Sequence, residues 1–476
     1  MPLFEALIKY REKKTVPFDV PGHKKGVGLP EFREYVGSTI LELDVNSMKP
    51  LDNISNPVGV IKEAESLMAK AYSADEAFFL VNGTSSGVQS MIMSVCQPGE
   101  YIILPRNAHK SAINGLILSG AIPIYVEPEI HEQLGMSMGV STSKMEKAIK
   151  ENPHAKGVFV INPTYYGATS DLKQIINIAH SSGMAVLVDE AHGAHFAFHH
   201  ELPWCGARLG ADLVAVSMHK TGGSLTQSSV LLLNEGIIDR NKVKSILNLT
   251  QTTSASYLLM SSLDVARKML VTKGEEIFTN ILKLSRNARN RINQIPGVYA
   301  FGEELVDAGD MYGFDETKLG IYVADLGYTG FDIYEMLRDD YNIQVEFGDT
   351  YNILAIISVG DTTQSLDALI NAIEDIALNR RKEHGFHMEN IYLKNPKVMV
   401  SPRDAYYAPK KLVLLEDSEG KVSGESVMTY PPGIPIVAPG EQISKKIIEY
   451  IRFLSGTNSM LTDTEDPTVE YIKILD

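Results

Sequence analysis

Cysteine is nearly missing from this chain: Cys96 and Cys205 are the only two in 476 residues. That is too few for a disulfide framework, and with Cys96 in a predicted helix both read as buried thiols. Long apolar runs are missing as well, since no stretch approaches the roughly 18 residues that a membrane helix needs. The N-terminus, Met1-Pro2-Leu3-Phe4-Glu5, has neither a basic n-region nor an apolar h-region. No secretory signal is read there, and the cytoplasm is the expected compartment. Basic residues are in deficit, 44 Lys and Arg against 59 Asp and Glu, a formal charge of −15. Phosphate backbones are bound through basic footprints, which argues against nucleic acid as the main partner. An acidic field favours a cationic substrate, although solubility alone also accounts for it. Internal repeats and low-complexity linkers are missing too.

What is present suits a soluble protein with a large core, 44% hydrophobic and 22% charged. The length predicts two or three domains. Residues 1–56 read as an N-terminal arm, with a short basic amphipathic stretch, then Pro21-Gly22-His23-Lys24-Lys25-Gly26 and polar turns. Val60, Ile61, Ala64, Leu67, Met68 and Ala71 then recur at helical spacing. Short apolar runs at Ala77–Val81, Tyr101–Leu104, Ile122–Val126, Gly157–Ile161, Ala185–Val188, Leu213–Val216 and Val230–Leu233 read as buried strands. Helices are predicted between most of them, at Gly87–Cys96, Ser111–Leu118, Ser143–Lys150 and Asp171–Ser182. The alternation predicts an α/β domain with a largely parallel sheet, spanning 57–295 with a long helical region from Leu258 to Ile295. Residues 296–390 read as a small α+β domain. Its strands are predicted at Leu319–Ala324, Ile343–Glu346 and Ile353–Val359, and its helices at Asp332–Asp339 and Ser365–Ala377. Residues 391–476 read as a further subdomain, with Tyr430-Pro431-Pro432-Gly433-Ile434-Pro435 ahead of an amphipathic helix.

Three motifs carry chemistry. Val81-Asn82-Gly83-Thr84-Ser85-Ser86-Gly87 lies between a strand and a helix, where glycines, hydroxyls and the helix N-terminus can bind phosphate. The same residues match the Gly-x-Ser-x-Gly nucleophile elbow, with Asp189 and His192 following in triad order, so a serine hydrolase built on Ser85 stays open. A plain turn capping a helix would look alike. The second motif is the run Ala185-Val186-Leu187-Val188-Asp189-Glu190-Ala191-His192. It ends a strand in a carboxylate, where open α/β sheets place their sites. A buried carboxylate there can keep a pyridinium nitrogen protonated, or simply cap a helix. His192, His195, His199 and His200 cluster here, but the run lacks His-Glu-x-x-His and no metal is expected. In the third motif, Ser217-Met218-His219-Lys220 ends a second strand. An ammonium buried at a strand end is costly, and conversion to a Schiff base removes the cost. Any one motif alone has an ordinary structural explanation. Together they fit the parts of a pyridoxal 5′-phosphate (PLP) enzyme, and a hydrolase has no use for Lys220.

The chain resembles the group III, or ornithine/lysine/arginine, family of PLP-dependent decarboxylases, which have the aspartate aminotransferase-like fold type I. The resemblance rests on Pro21-Gly22-His23-Lys24, Asn82-Gly83-Thr84-Ser85, Arg106-Asn107-Ala108-His109-Lys110-Ser111, Asn162-Pro163-Thr164-Tyr165, Asp189-Glu190-Ala191-His192, Ser217-Met218-His219-Lys220 and the Tyr430–Pro435 motif, in the family's order. It implies that Lys220 holds the cofactor as a Schiff base, that Asp189 pairs with the ring nitrogen, and that His109 stacks on the ring. It implies Ser85, Ser86, Ser217 and His219 around the phosphate, Thr252 reaching it from a partner subunit, and His192 beside the ring hydroxyl or the substrate. Lys220 or His219 would reprotonate the substrate carbon.

The distal cation of a basic substrate calls for a carboxylate. Glu425 is the first candidate, with Asp44 and Asp52 of the arm as contributors across a dimer interface. The short form, without an N-terminal wing, is most similar to the biosynthetic arginine decarboxylases that make agmatine for polyamines. Lysine and ornithine stay open as substrates. A homodimer or tetramer is expected. An inactive PLP-binding regulator is a further alternative, against which the Lys220, Asp189 and His109 set speaks.

Overall fold

The computed structural model describes residues 1–307, 311–386, 395–430, 433–457 and 459–476. Its centre is a sheet of seven short strands. They are β1 (Glu76–Leu80), β2 (Tyr101–Pro105), β3 (Ile122–Val126), β4 (Gly157–Ile161), β5 (Ala185–Asp189), β6 (Leu213–Val216) and β7 (Ser229–Leu233). In space they run β1-β7-β6-β5-β4-β2-β3. The five from β6 to β3 are parallel, and β7 is antiparallel to both β6 and β1. Every residue of β5, β6 and β7 is buried, which is why these runs do not alternate and are apolar except for Asp189 at the end of β5 and Ser229 at the start of β7.

Among the described residues up to the end of this domain, the helices of ten residues or more are α1 (Pro2–Glu12), α2 (Val60–Tyr72), α3 (Gly83–Val95), α4 (Lys110–Ser119), α5 (Thr142–Glu151), α6 (Leu172–Ser181), α7 (Arg240–Thr250) and α8 (Tyr257–Ile292). The two sheet faces feed separate cores. Phe79, Val186 and Val214 face one, and Phe78, Leu187 and Leu213 face the other. The arm is tied into the first core, because Leu3 and Leu7 of α1 are fully buried and the Leu3 and Phe4 amides donate to the Asp264 carboxylate on α8.

A second, antiparallel sheet follows, built from β8 (Tyr299–Ala300), β9 (Lys318–Tyr322), β10 (Phe347–Gly348) and β11 (Asn352–Ile356) in the order β8-β9-β11-β10. Helices α9 (Gly330–Tyr341) and α10 (Thr363–Asn379) belong to this region, each opened by a threonine capping box. The C-terminal part pairs β12 (Lys410–Leu414) with the last strand. It also sets β13 (Val427–Tyr430) between β14 (Ile434–Val437) and β15 (Met460–Thr462), with α11 (Lys445–Ser455) and finally β16 (Tyr471–Leu475). Pro431 and Pro432 of the Tyr-Pro-Pro motif lie outside the described residues.

Most boundaries fall within three residues of the sequence expectation, and two differ by more. Helix α3 starts at Gly83, not Gly87, so the glycine/serine loop is itself the first turn of a helix. The strand expected at Ile343–Glu346 shrinks to Phe347–Gly348, because Asn342 ends α9 in a left-handed conformation and the Ile343 amide turns back to the Leu337 carbonyl.

Candidate active site

The C-terminal ends of β5 and β6 meet the N-terminus of α3 at a cavity of about 1030 Å³, at the upper end of ordinary ligand pockets. Lys220 sits in a single helical turn after β6, Met218–Thr221, and enters the cavity with Ser217 and His219. Asp189 and His192 come from the end of β5, His109 from the N-cap of α4, and Gly83, Thr84 and Ser85 from the first turn of α3. Gly83 has φ of +74°, a left-handed conformation that favours glycine, and a Cβ there would meet almost nothing. The α3 amides are therefore presented on an open rim.

At the centre, the Lys220 amine lies 2.8 Å from His192 Nε2 and 5.4 Å from the centre of the Tyr165 ring. Burial pushes this amine below its ordinary value, opposed by the charges of Asp189 and Glu346. Burial and the Lys220 charge likewise push His192 down, and its Nδ1 is buried without a partner among the described residues. Asp189 is raised by burial, and among the described residues its Oδ1 accepts the Ala191 amide, at 3.2 Å. His109 is pushed down to about 4 by burial and by Lys220 and Lys110. Its Nδ1 accepts from the Ser111 amide at 3.2 Å, which leaves the proton on Nε2. His219 Nδ1 donates to the Ser228 carbonyl at 3.1 Å, which fixes that ring as well.

Of the phosphate residues expected from the sequence, Ser85, Ser217 and His219 line the cavity. Ser86 does not, because its hydroxyl turns back to the Gly83 carbonyl, at 2.8 Å. Thr252 is exposed on a loop and lines no part of the cavity within one chain. Within one chain, none of the three expected substrate acids lines the cavity. Glu425 spends both carboxylate oxygens on backbone amides, of Lys473 at 2.7 Å and Glu465 at 2.8 Å. Asp52 accepts the amides of Asn53, Val58, Gly59 and Ile61 and anchors the start of α2. Asp44 pairs with His23.

The histidine run divides in two: His192 and His195 turn inward, whereas His199 and His200 stack on each other and both face Glu275. His195 bonds Asp315, His200 bonds Glu275, and His199 Nε2 meets Thr279. His199 Nδ1 accepts the Glu201 amide, which places the proton on Nε2, facing Thr279. The hydrolase triad is not assembled: His192 Nε2 is taken by Lys220, and Asp189 accepts from Ala191 instead of His192.

Two contributors were not read from the sequence. Thr84 Oγ1 lies against Ser217 Oγ and 2.8 Å from Ser229 Oγ, forming a buried cluster of hydroxyls at the start of α3. Its place in the first helical turn was the available signal. Glu346 lines the cavity and acts electrostatically on Lys220, but it comes from the small domain, and no local pattern announces that contact.

The pattern of the family described as "Orn/Lys/Arg decarboxylase, major domain" matches residues 1–365, and that of its C-terminal domain matches residues 386–462. This chain belongs to the Orn/Lys/Arg decarboxylase family. It is 45% identical over its full length to an arginine decarboxylase of Bacillus subtilis and 43% identical to one of Bacillus anthracis, covering 97% of each. In fold it is similar to the Francisella novicida lysine decarboxylase, with a TM-score of 0.86 at 20% identity, covering all of this chain and 81% of that one. The Pseudomonas aeruginosa lysine decarboxylase A gives 0.84 at 21% identity, covering 100% and 80%. The protein is therefore a PLP-dependent amino acid decarboxylase of fold type I. The residues present fit the cofactor. A desolvated amine faces the cavity, a buried carboxylate stands at the neighbouring strand end, and an open helix N-terminus has a cluster of hydroxyls at its start.

Proposed function

We propose that this decarboxylase acts on L-arginine and releases agmatine and CO₂, the entry to polyamine synthesis. Full-length identity of 43–45% to chains named arginine decarboxylase is the observation that carries this reading. Lys220 would hold the cofactor, with Asp189 at the ring nitrogen and Gly83, Thr84, Ser85, Ser217 and His219 at the phosphate. When bound, the cofactor supplies an electron sink for the pair left at the substrate Cα.

The chain's own residues do the rest. His192 takes or returns a proton at Lys220 Nζ, the two nitrogens being in hydrogen-bond contact. His109 stays neutral near pH 7 and presents a ring face and an Nε2–H without adding positive charge beside Lys220. Low charge there matters because a second cation would further depress the amine. Glu346 takes over the specificity role expected of Glu425. It lines the cavity, and no ion pair or hydrogen bond holds its carboxylate among the described residues. A carboxylate can receive a guanidinium through two parallel hydrogen bonds. Thr252, exposed within one chain, supports a homodimer in which it completes the partner's phosphate site. The reading also places the enzyme in the cytoplasm; among the described residues no helix is long and apolar enough to cross a membrane.

Offering arginine, lysine and ornithine together and identifying the amines tests the substrate. Agmatine should dominate, and cadaverine or putrescine as the main product would overturn the assignment. Glu346→Gln should raise KM for arginine by roughly tenfold or more, as expected for a charge-assisted hydrogen bond. An unchanged KM would remove Glu346 from the substrate site.

A further inference from the structure

Behind the cavity lies a polar network that the reaction as described does not use. Asp315 and Lys318 are both fully buried, at 0% exposure, and pair at 2.8 Å. They belong to the turn that opens β9, in the small domain, yet they reach across to the large domain. The Asp315 Oδ1 also meets His195 Nε2 at 3.1 Å and Thr317 Oγ1 at 2.7 Å. The other nitrogen of His195 lies 3.0 Å from Thr221 Oγ1, and Thr221 follows Lys220 directly. From its other side, the Lys318 amine donates to the His192 main-chain carbonyl at 3.3 Å. Two residues next to the Lys220 chemistry, Thr221 and His192, thus rest on one carboxylate–ammonium pair.

The charges are internally balanced. Burial pushes Asp315 up, but His195 and Lys318 outweigh it and hold the carboxyl well below its ordinary range. Burial pushes His195 down, so it is neutral and donates Nε2–H to the carboxylate, while the Thr221 hydroxyl donates to Nδ1. Taking such a pair out of water is expensive, and hydrophobic replacements of similar volume are often as stable or more so. Stability is therefore a poor reason for an ion pair here. Its contacts supply another.

We propose that Asp315 and Lys318 are positioning residues, through which the seating of the small domain fixes the His192 main chain and the Thr221 end of the Lys220 turn. The proposal rests on Lys220 being the cofactor lysine. A displacement of about 1 Å at a reacting group is enough to slow a reaction on the order of a hundredfold. The loss should fall on kcat, because neither residue lines the cavity that admits substrate.

The test uses holoenzyme with Asp315→Asn, Lys318→Met, the double variant, and Thr221→Val. The single charge changes leave an unpaired buried ion and are expected to lower Tm, whereas the double variant is neutral and should fold with a Tm near the parent's. It should show kcat lowered by roughly 10- to 100-fold, KM within about threefold, and a changed cofactor absorption or circular dichroism band. Thr221→Val, which disturbs no charge, should shift the same band with a smaller loss of kcat. Parental kcat and parental spectra in both variants would overturn the proposal, as would a change confined to KM. Failure of the double variant to fold would leave Thr221→Val to decide on the same criteria. Lys220→Ala separates the underlying reading. If that variant keeps the band of the parent, the cofactor assignment fails, whereas its loss alongside unchanged double-variant spectra rejects only the positioning role.

Discussion

At the scale of single residues, burial decides the chemistry. Lys220, His192 and His109 are all shifted down, and in each case burial is the first cause. A lysine in this state gives up its proton more readily than one in water, which is what condensation with an aldehyde requires. Asp189 is shifted the other way, so its ionised form depends on a positive charge beside it, either the Lys220 amine or a protonated ring nitrogen. Asp189→Ala should lower turnover by about a hundredfold or more without unfolding the protein, since the side chain faces the cavity. Steady-state kinetics on the cofactor-loaded variant checks this, and near-parental turnover would take Asp189 out of the reaction. Asp189 and Lys220 were legible in sequence because each stands at or just beyond the end of an apolar strand, whereas His109 was reached only through the family resemblance. The substrate acids were not, because an exposed-looking carboxylate in sequence is as readily spent on backbone amides, as Glu425 and Asp52 are.

At the scale of elements, helix α2 carries a pH-sensitive group. Glu65 is buried at 1% exposure and accepts the Phe79 amide of β1 at 2.9 Å. Burial pushes it up to about 7, against an ordinary value of 4.5, with Lys244 and Lys62 pulling partly back. A folded-state value above the unfolded one means that the native protein holds the proton more tightly. The stability this contributes is complete below about 4.5 and is lost as pH rises through about 7. Glu65→Gln keeps the acceptor for Phe79 and cannot ionise. Its Tm should match the parent's near pH 4.5 and exceed it at pH 8, by the equivalent of on the order of 3 kcal/mol at most. A Tm difference that does not change across that range would show that the carboxyl does not titrate there.

Elements also explain which boundaries the sequence concealed. The helical periodicity of α3 begins at Gly87, but its first turn is glycine, threonine and serine, which read as loop because they favour turns and caps. Tertiary packing holds that turn in helix: the Val81 amide is fixed by Gln251, and a Cβ on Gly87 would strike Leu80 Cδ1 at 2.7 Å.

At the scale of the whole molecule, the C-terminal part grips the loop that carries His109. Arg106 donates to the carbonyls of Pro435 at 2.9 Å and Ile436 at 3.2 Å, and to the Glu441 carboxylate at 3.0 Å. The Lys110 amide donates to the Gly433 carbonyl at 2.9 Å. Glu441 is buried, so its removal strands an arginine in a poorly hydrated place, a loss of about 3–5 kcal/mol. Glu441→Ala should lower Tm by several degrees. Arg106→Ala with Glu441→Ala should lower it by less than the two single changes combined, because the partners share one interaction. Thermal denaturation of the three variants measures this, and simple additivity would mean that the pair is not coupled.

The sequence by itself determined the α/β class, the central sheet, and the three strand-end motifs that face the cavity. These are local properties: apolar runs of strand length, helical spacing, and polar residues where a strand must stop. Only the tertiary structure brought Glu346 to the cavity wall, set Asp315 and Lys318 behind Lys220, and tied the loop of His109 to Glu441. Glu346, Asp315 with Lys318, and Glu441 each act on residues more than a hundred positions away. A burial partner at that separation is chosen by packing, and packing leaves no mark on the spacing of a linear chain.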